Sequence, residues 1–224
     1  MKTLPVVIVS VALFILAGVI GVIHTKKNPS PDSPSSPTPS STETVTPTPV
    51  PSPTSAPVTV PADAVSAHQI KLSTTKGDIL LNLYPEDAQL AVQNFVTLGK
   101  RGYYNGTIFH RVIANFMNQG GDPTGTGSGG ESIYGKIFKT ELNNHKFIAG
   151  SLGGARTSAM NTNGSQFFIN AAAYPTLDGQ YTQFGQTADD ASLAVVQAIN
   201  SVKTDGGDKP LEDIKVTAFS ITKA

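Results

Sequence analysis

A chain of 224 residues has room for one or two domains, but its first quarter lacks globular composition, so the sequence reads as one folded domain behind a long leader. Its 16 Lys and Arg balance 16 Asp and Glu, so no net field draws it to nucleic acid or acidic lipid. The absence of cysteine excludes disulfides, thiol catalysis, thiolate metal sites and a lipid-modified N-terminal Cys.

Residues 4–23 are almost wholly apolar and uncharged, bracketed by Lys2 on one side and His24, Lys26 and Lys27 on the other. About twenty residues at 1.5 Å each match a hydrocarbon core of roughly 30 Å, so residues 1–27 read as a single-pass membrane anchor. A cleaved signal peptide is the alternative. Its apolar core spans about 7 to 15 residues before a small-x-small site, and Gly21-Val22-Ile23-His24 fits that exit poorly. Positive charges flank both ends, so they hardly orient the segment.

Residues 28–67 are rich in Pro, Ser and Thr, with almost no large apolar side chain until near their end. Such a tract cannot bury enough surface to offset its ordering entropy and is expected to be a disordered linker. In polyproline geometry it would reach on the order of 100 Å. A hydroxyl-rich stalk is common outside the cytoplasm, which places the C-terminal domain on the extracytoplasmic face, or in the medium if the first segment is cleaved.

The globular domain is expected over residues 68–224. Gln69-Ile70-Lys71-Leu72-Ser73-Thr74 and Ile79-Leu80-Leu81-Asn82-Leu83-Tyr84 flank the turn Thr75-Lys76-Gly77-Asp78 as a β-hairpin. Pro85-Glu86-Asp87 suits the opening turn of a helix with Val92, Phe95, Val96 and Gly99 in one stripe and Lys100-Arg101-Gly102 at its end. Short strands are expected over residues 147–152 and 165–170, with a polar loop over 155–164 between them. A turn and strand follow over 177–185, a helix over 191–202, and a final alternating strand over 214–221. Many short strands, glycine turns and two helices predict a mainly β, closed or nearly closed barrel.

Residues 109–122 carry the densest chemistry. Arg111, Phe116, Met117 and Gln119 put one permanently charged donor, two large apolar groups and one amide within nine residues, and glycine follows. As an extended run, Arg111, Ile113 and Asn115 share a face, and a kink near Ala114-Asn115 would re-aim Phe116 and Met117. The stretch then delivers an Arg and an apolar floor to a groove. Taken alone, it equally fits an amphipathic strand with a surface Arg.

Other signals carry less. Gly125-Thr126-Gly127-Ser128-Gly129-Gly130 matches G-x-G-x-x-G formally but lacks the strand and helix of a dinucleotide site. Ser151 lacks the strand-to-helix turn and the partners of a nucleophile. His68, His110 and His145 are scattered and read as structural, with His110 facing away from Arg111.

Four blocks, Phe109-His110-Arg111-Val112-Ile113 with Phe116-Met117, Gln119-Gly120-Gly121-Asp122-Pro123, Asn163-Gly164-Ser165-Gln166-Phe167-Phe168-Ile169 and Leu177-Asp178-Gly179, closely resemble the cyclophilin family of peptidyl-prolyl isomerases. The likeness spans residues 68–223. It implies a closed eight-stranded antiparallel β-barrel capped by two α-helices, with Arg111, Phe116 and Gln119 catalytic. It implies a peptide groove completed by Met117, Ala155, Arg156, Phe168 and Leu177. Tyr181 joins that groove where many members have His, and Thr176 stands where many have Trp, which weakens the expectation of tight cyclosporin binding. The loop Ala155-Arg156-Thr157-Ser158 looks like bacterial members.

The implied reaction breaks no bond, so no nucleophile, metal or cofactor is expected. Gln119 and the backbone near Ala155 and Arg156 would hold the peptide. The expected partners are proline-containing peptides and unfolded or exported proteins, with the membrane engaged through the N-terminal helix, no nucleic acid, and a monomeric domain. The alternative is a non-catalytic, membrane-tethered module that uses the same groove to dock proline peptides.

Overall fold

The strictest alternation in the sequence builds the first ladder. In the computed structural model, which describes residues 59–223, β1 (Gln69–Thr74) buries Ile70, Leu72 and Thr74, and β2 (Gly77–Leu83) buries Ile79, Leu81 and Leu83. They pair antiparallel with Thr74 opposite Gly77, so Thr75-Lys76 is a two-residue turn. The expected anchor, and the Pro-rich tract through residue 58, lie outside the described residues. Among those described, no helix is long and apolar enough to cross a membrane. Packing starts ahead of His68: Ala64 of the short helix α1 (Ala62–Val65) and Ala67 are buried, and Asp63 accepts from Lys100 at 2.6 Å.

Helix α2 (Gln89–Lys100) buries the stripe expected of it. Its start differs from the sequence reading. Pro85, Glu86 and Asp87 form a turn ahead of the helix, where His68 Nε2 lies 3.1 Å from Glu86 and His145 Nε2 2.8 Å from Asp87. The negative charge at the helix N-terminus comes instead from Glu141, whose carboxylate accepts the N–H groups of Leu90 (3.0 Å) and Ala91 (2.9 Å). The other end stops on Gly102 at φ 72°, and the Tyr103 N–H returns to the Leu98 carbonyl at 3.0 Å.

The remaining strands are β3 (Arg111–Ile113), β4 (Met117–Gly120), β5 (Ser151–Gly154), β6 (Phe167–Asn170), β7 (Gln183–Thr187) and β8 (Val216–Lys223). All pairs are antiparallel, in the order β3-β4-β6-β5-β7-β2-β1-β8. The expected closed barrel is a half-barrel: its end strands β3 and β8 share no ladder. A bridge between Ile108 and Lys215 and bonds from Phe109 N–H to Ile214 and Gly106 N–H to Val216 draw the approaches together. The physical reason is that β3 has only three residues, and its outward Val112 N–H is already taken at 2.8 Å by the Asp208 carbonyl.

Two more elements shift. The strand expected over 147–152 is β5, four residues further on, because the Phe147 N–H goes to Asp178 Oδ1 at 2.9 Å. Helix α3 (Asp190–Asn200) begins where Asp189 Oδ1 accepts the Ser192 N–H at 2.7 Å. Successive residues of β6 then divide two apolar clusters. Phe167 and Ile169 join the main core with Phe95, Tyr104 and Phe184, while Phe168 joins a small cluster of Met117, Phe147, Ala155 and Leu177.

Candidate active site

The stretch read as one kinked strand is a hairpin. Asn115 takes the left-handed conformation at φ 59°, which Asn tolerates better than other residues with a Cβ. The Phe116 N–H closes the turn on Ile113 at 3.1 Å. Asn200 at the end of α3 holds the tip: its Oδ1 accepts the Asn115 N–H (2.8 Å), and its Nδ2 donates to the Ile113 carbonyl (2.9 Å) and to Asn118 Oδ1 (2.8 Å). Arg111 and Ile113 therefore keep the shared face that alternation predicts, but Asn115 belongs to the turn.

Register assembles the site. Arg111 lies opposite Gln119, Gln119 opposite Phe168, and Phe168 opposite Gly153, so four strands contribute one row across the sheet. At roughly 4.8 Å between strands, the row sets an exposed cation, an amide and an aromatic ring at successive steps. Gly153, which lies opposite Gln183 of β7, leaves room for the Phe168 ring, because a Cβ there would strike it. One row along, Ile113 faces Met117.

All nine residues singled out in the sequence line one cavity of about 130 Å³: Arg111, Phe116, Met117, Gln119, Ala155, Arg156, Phe168, Leu177 and Tyr181. Pockets that hold cofactor-sized ligands run to roughly 300–1,000 Å³, so this one suits a single small ring. Its floor is braced from below. Phe147 stacks on Phe168 with ring centroids 5.7 Å apart, Tyr181 meets Phe168 edge-on at 5.8 Å, and Phe116 lies against Tyr174 at 4.0 Å. Leu177 sits at the end of a 3₁₀ turn (Pro175–Leu177), fixed by the Tyr174 N–H to Phe147 and by the Phe147 N–H to Asp178. The Phe147 N–H, with Lys146 beside it, holds the Asp178 carboxyl below its ordinary range. That clasp is the work of the Leu177-Asp178-Gly179 block, while Thr176 beside it is exposed.

The polar groups are oriented by residues that the sequence reading left without a role. Gln119 Nε2 donates to Gln166 Oε1 at 2.9 Å, and Gln166 Nε2 donates to the carbonyls of Gly127 (3.0 Å) and Gly129 (2.8 Å). The glycine loop is thus a support for an amide pair. It is wound on the buried carboxylate of Asp122, which accepts the N–H groups of Thr124, Gly127 and Gly129 and the Thr124 hydroxyl. Burial pushes the Asp122 carboxyl up, but those donors outweigh it and hold the group below the ordinary carboxylate range.

Arg111 is 44% exposed, and its Nε lies 3.4 Å from Asp208 Oδ2. Asp208 carried no sequence signal beyond that of a turn residue after Gly206-Gly207. Arg156 ties its own loop to the segment after the 3₁₀ turn: it donates to Thr157 and Gln180 carbonyls, each at 2.8 Å, and its guanidinium carbon lies 4.4 Å from the Tyr181 ring centroid. The Ala155 N–H is bonded to the Gln166 carbonyl at 3.0 Å, so this part of the backbone expected to hold a peptide is already engaged. His110 is buried on the opposite side from Arg111, with neither ring nitrogen hydrogen-bonded. No group of three or more His, Cys, Asp or Glu able to hold a metal occurs among the described residues.

Residues 69–221 match the sequence model of the family described as cyclophilin type peptidyl-prolyl cis-trans isomerase/CLD. The chain is 48% identical over 149 residues to peptidyl-prolyl cis-trans isomerase ppi1 of Schizosaccharomyces pombe, a match covering 66% of this chain and 94% of that protein. It is 43% identical over 158 residues to peptidyl-prolyl cis-trans isomerase-like 1 of Homo sapiens, covering 70% and 94% respectively. Among solved structures, it is similar to a cyclophilin type peptidyl-prolyl cis-trans isomerase of Cryptosporidium parvum, with a TM-score of 0.67 and 37% identity over 70% of this chain and 99% of that one. A structure of that protein in the presence of the dipeptide Ala-Pro gives a TM-score of 0.65 and 39% identity over the same shares. These relatives are eukaryotic, so the bacterial likeness expected for the loop at Ala155 gains no support from them.

Proposed function

The chain belongs to the cyclophilin-type peptidyl-prolyl cis-trans isomerases, and from that premise we propose that Arg111 is the donor that lowers the barrier to rotation about Xaa-Pro bonds in its groove. A planar amide resists rotation by about 18 to 20 kcal/mol. Cis and trans forms before proline lie close in energy yet interconvert over roughly tens to hundreds of seconds. In the twisted state the proline nitrogen regains a lone pair, so a donor aimed at it stabilises that state more than the planar one. A guanidinium keeps its protons at any accessible pH, which suits Arg111 to the task.

Phe116, Met117, Phe168 and Leu177 form a water-poor floor for the pyrrolidine ring. That floor also disfavours the strongly polarised planar carbonyl more than the twisted one. Gln119, its amide fixed by Gln166, holds the peptide flank while the other side turns. Going from about 100 s to about 10 ms takes four decades, or roughly 5.5 kcal/mol, within reach of one charged donor plus positioning. The observation that carries this reading is the single cavity lined by Arg111, Gln119 and the apolar floor together.

The test is the rate of prolyl isomerisation on one proline peptide at low temperature, wild type against Arg111→Ala. The expected result is a large rate reduced by about a hundredfold or more in the variant. Equal rates in the two proteins would remove Arg111 from the mechanism. Slow rates in both with measurable peptide affinity would return the tethered binding module.

We further propose that the domain works on exported chains from the outer face of a membrane, held by residues 4–23 through the Pro-rich stalk. The support is the length and apolarity of the first segment and the composition of the second. Recovery of the intact N-terminus in a membrane fraction, with the domain digested by protease added to intact cells, is the expected outcome. A protected domain or a soluble, trimmed one would overturn it.

A further inference from the structure

The loop between α3 and β8 places one residue on β3 at two points. Asp208 accepts the Val112 N–H with its backbone carbonyl at 2.8 Å, and its carboxylate faces Arg111 Nε at 3.4 Å. The loop is built to hold it there. Thr204 and Pro210 form a bridge, the Asp205 N–H reaches the Lys209 carbonyl at 2.8 Å, and Asp205 Oδ1 accepts the N–H groups of Gly207 (2.8 Å) and Lys209 (2.9 Å). Asp208 itself sits at φ 65°, a conformation that residues with a Cβ seldom adopt. Strained backbone persists where the surroundings over-determine it, and such positions cluster at functional sites.

Stability does not account for the arrangement. The two side chains are 44% and 45% exposed, and ion pairs this open to water add little to folding. Geometry does. A guanidinium presents five donors in a rigid planar fork, and an ion pair on the Nε edge biases the rotation of the whole plane. The two Nη groups are then left for the cavity that Arg111 lines. The carboxylate also offsets the charge of the guanidinium, so an acidic residue beside the substrate proline gains less from Arg111 than it otherwise would.

We propose that Asp208 is the positioning residue for Arg111: it aims the guanidinium at the rotating amide and screens the groove against acidic neighbours of the proline. The inference rests on Arg111 acting as the donor in isomerisation, and the wild-type to Arg111→Ala ratio tests that separately.

The experiment uses the full chain, with prolyl peptides carrying Ala or Glu before the proline. Asp208→Asn keeps the shape, and Asp208→Gly relieves the backbone strain, so a folded variant lacking the carboxylate is secured by one or the other. Both variants should lower kcat on the Ala peptide by about tenfold while KM stays within about twofold, the pattern of a lost transition-state contact. Both should raise the relative kcat/KM for the Glu peptide by about threefold. The NMR signal of the Arg111 Nε–Hε group should move and broaden in each. A kcat within about twofold of wild type, or an unchanged Arg111 signal, would reduce the pair to an ordinary surface contact and overturn the proposal.

Discussion

Single side chains at this site act through the groups that aim them. Gln166 can offer its Nε2 to two loop carbonyls only if its Oε1 faces Gln119, and Gln119 must then answer with its own Nε2. The Oε1 of Gln119 is thereby left for a peptide N–H. Gln166→Leu keeps the bulk and removes both ends of that chain, so kcat/KM should fall by about tenfold, roughly 1.4 kcal/mol, while stability changes by less than about 1 kcal/mol. Steady-state rates beside urea unfolding of the two proteins check both halves. Both glutamines stand inside blocks visible in the sequence, but they are 47 residues apart, and nothing local says that they touch.

Among elements, the β3–β4 hairpin and helix α2 are each completed from a distance. Asn200→Ala would strip the partners from the Asn115 N–H and the Ile113 carbonyl at the hairpin tip. It should cost about 2 to 3 kcal/mol and also lower kcat/KM, because Phe116 and Met117 follow that tip into the groove. Glu141→Ala removes the acceptor for two N–H groups at the start of α2, and Glu141 is not among the residues that line the cavity. It should cost about 1 to 2 kcal/mol in chemical unfolding and leave kcat unchanged. The contrast between the two variants separates an element that carries the site from one that only supports the fold. The helix itself was legible from its apolar stripe and its Gly102 stop. Its start was misplaced because the capping acid lies some fifty residues away instead of in Glu86 or Asp87.

For the molecule as a whole, buried titratable groups set how stability responds to acid. Burial pushes His110 below its ordinary value of 6.5 against the pull of nearby Asp122, and both ring nitrogens lack a partner. The unfolded chain therefore takes up this proton first as pH falls below about 6.5, and stability present above that value declines as pH drops toward the folded one. Asp122 behaves as a lowered carboxyl: its contribution is complete above its ordinary 3.8 and is lost only as pH falls through the lower folded value. Thermal unfolding from pH 8 to pH 3 should show a first decline in Tm below about pH 6.5 and a steeper one in strong acid. In His110→Leu the first decline should flatten while the second persists; an unchanged profile would mean that His110 is not its source.

Legible along the chain were the broad class, the hairpin of β1 and β2, the burial stripe of α2, the existence of α3 and β8, and, through the family likeness, the nine residues that line the groove. The elements follow from period-two and period-3.6 patterns; of the groove residues, Arg111, Phe116, Met117 and Gln119 stand out by their own chemistry, and Ala155, Arg156, Phe168, Leu177 and Tyr181 follow from the likeness of short blocks to the cyclophilin family. Only the folded chain shows that residues 111–119 turn back as a hairpin, that the sheet stops at β3 without closing, that Gln166, Glu141 and Asn200 bond groups distant in sequence, and that Asp208 lies beside Arg111. The physical reason is that local pattern fixes which face of a strand is buried. Which partner meets that face depends on register, on one left-handed Asn, and on hydrogen bonds to side chains far along the chain.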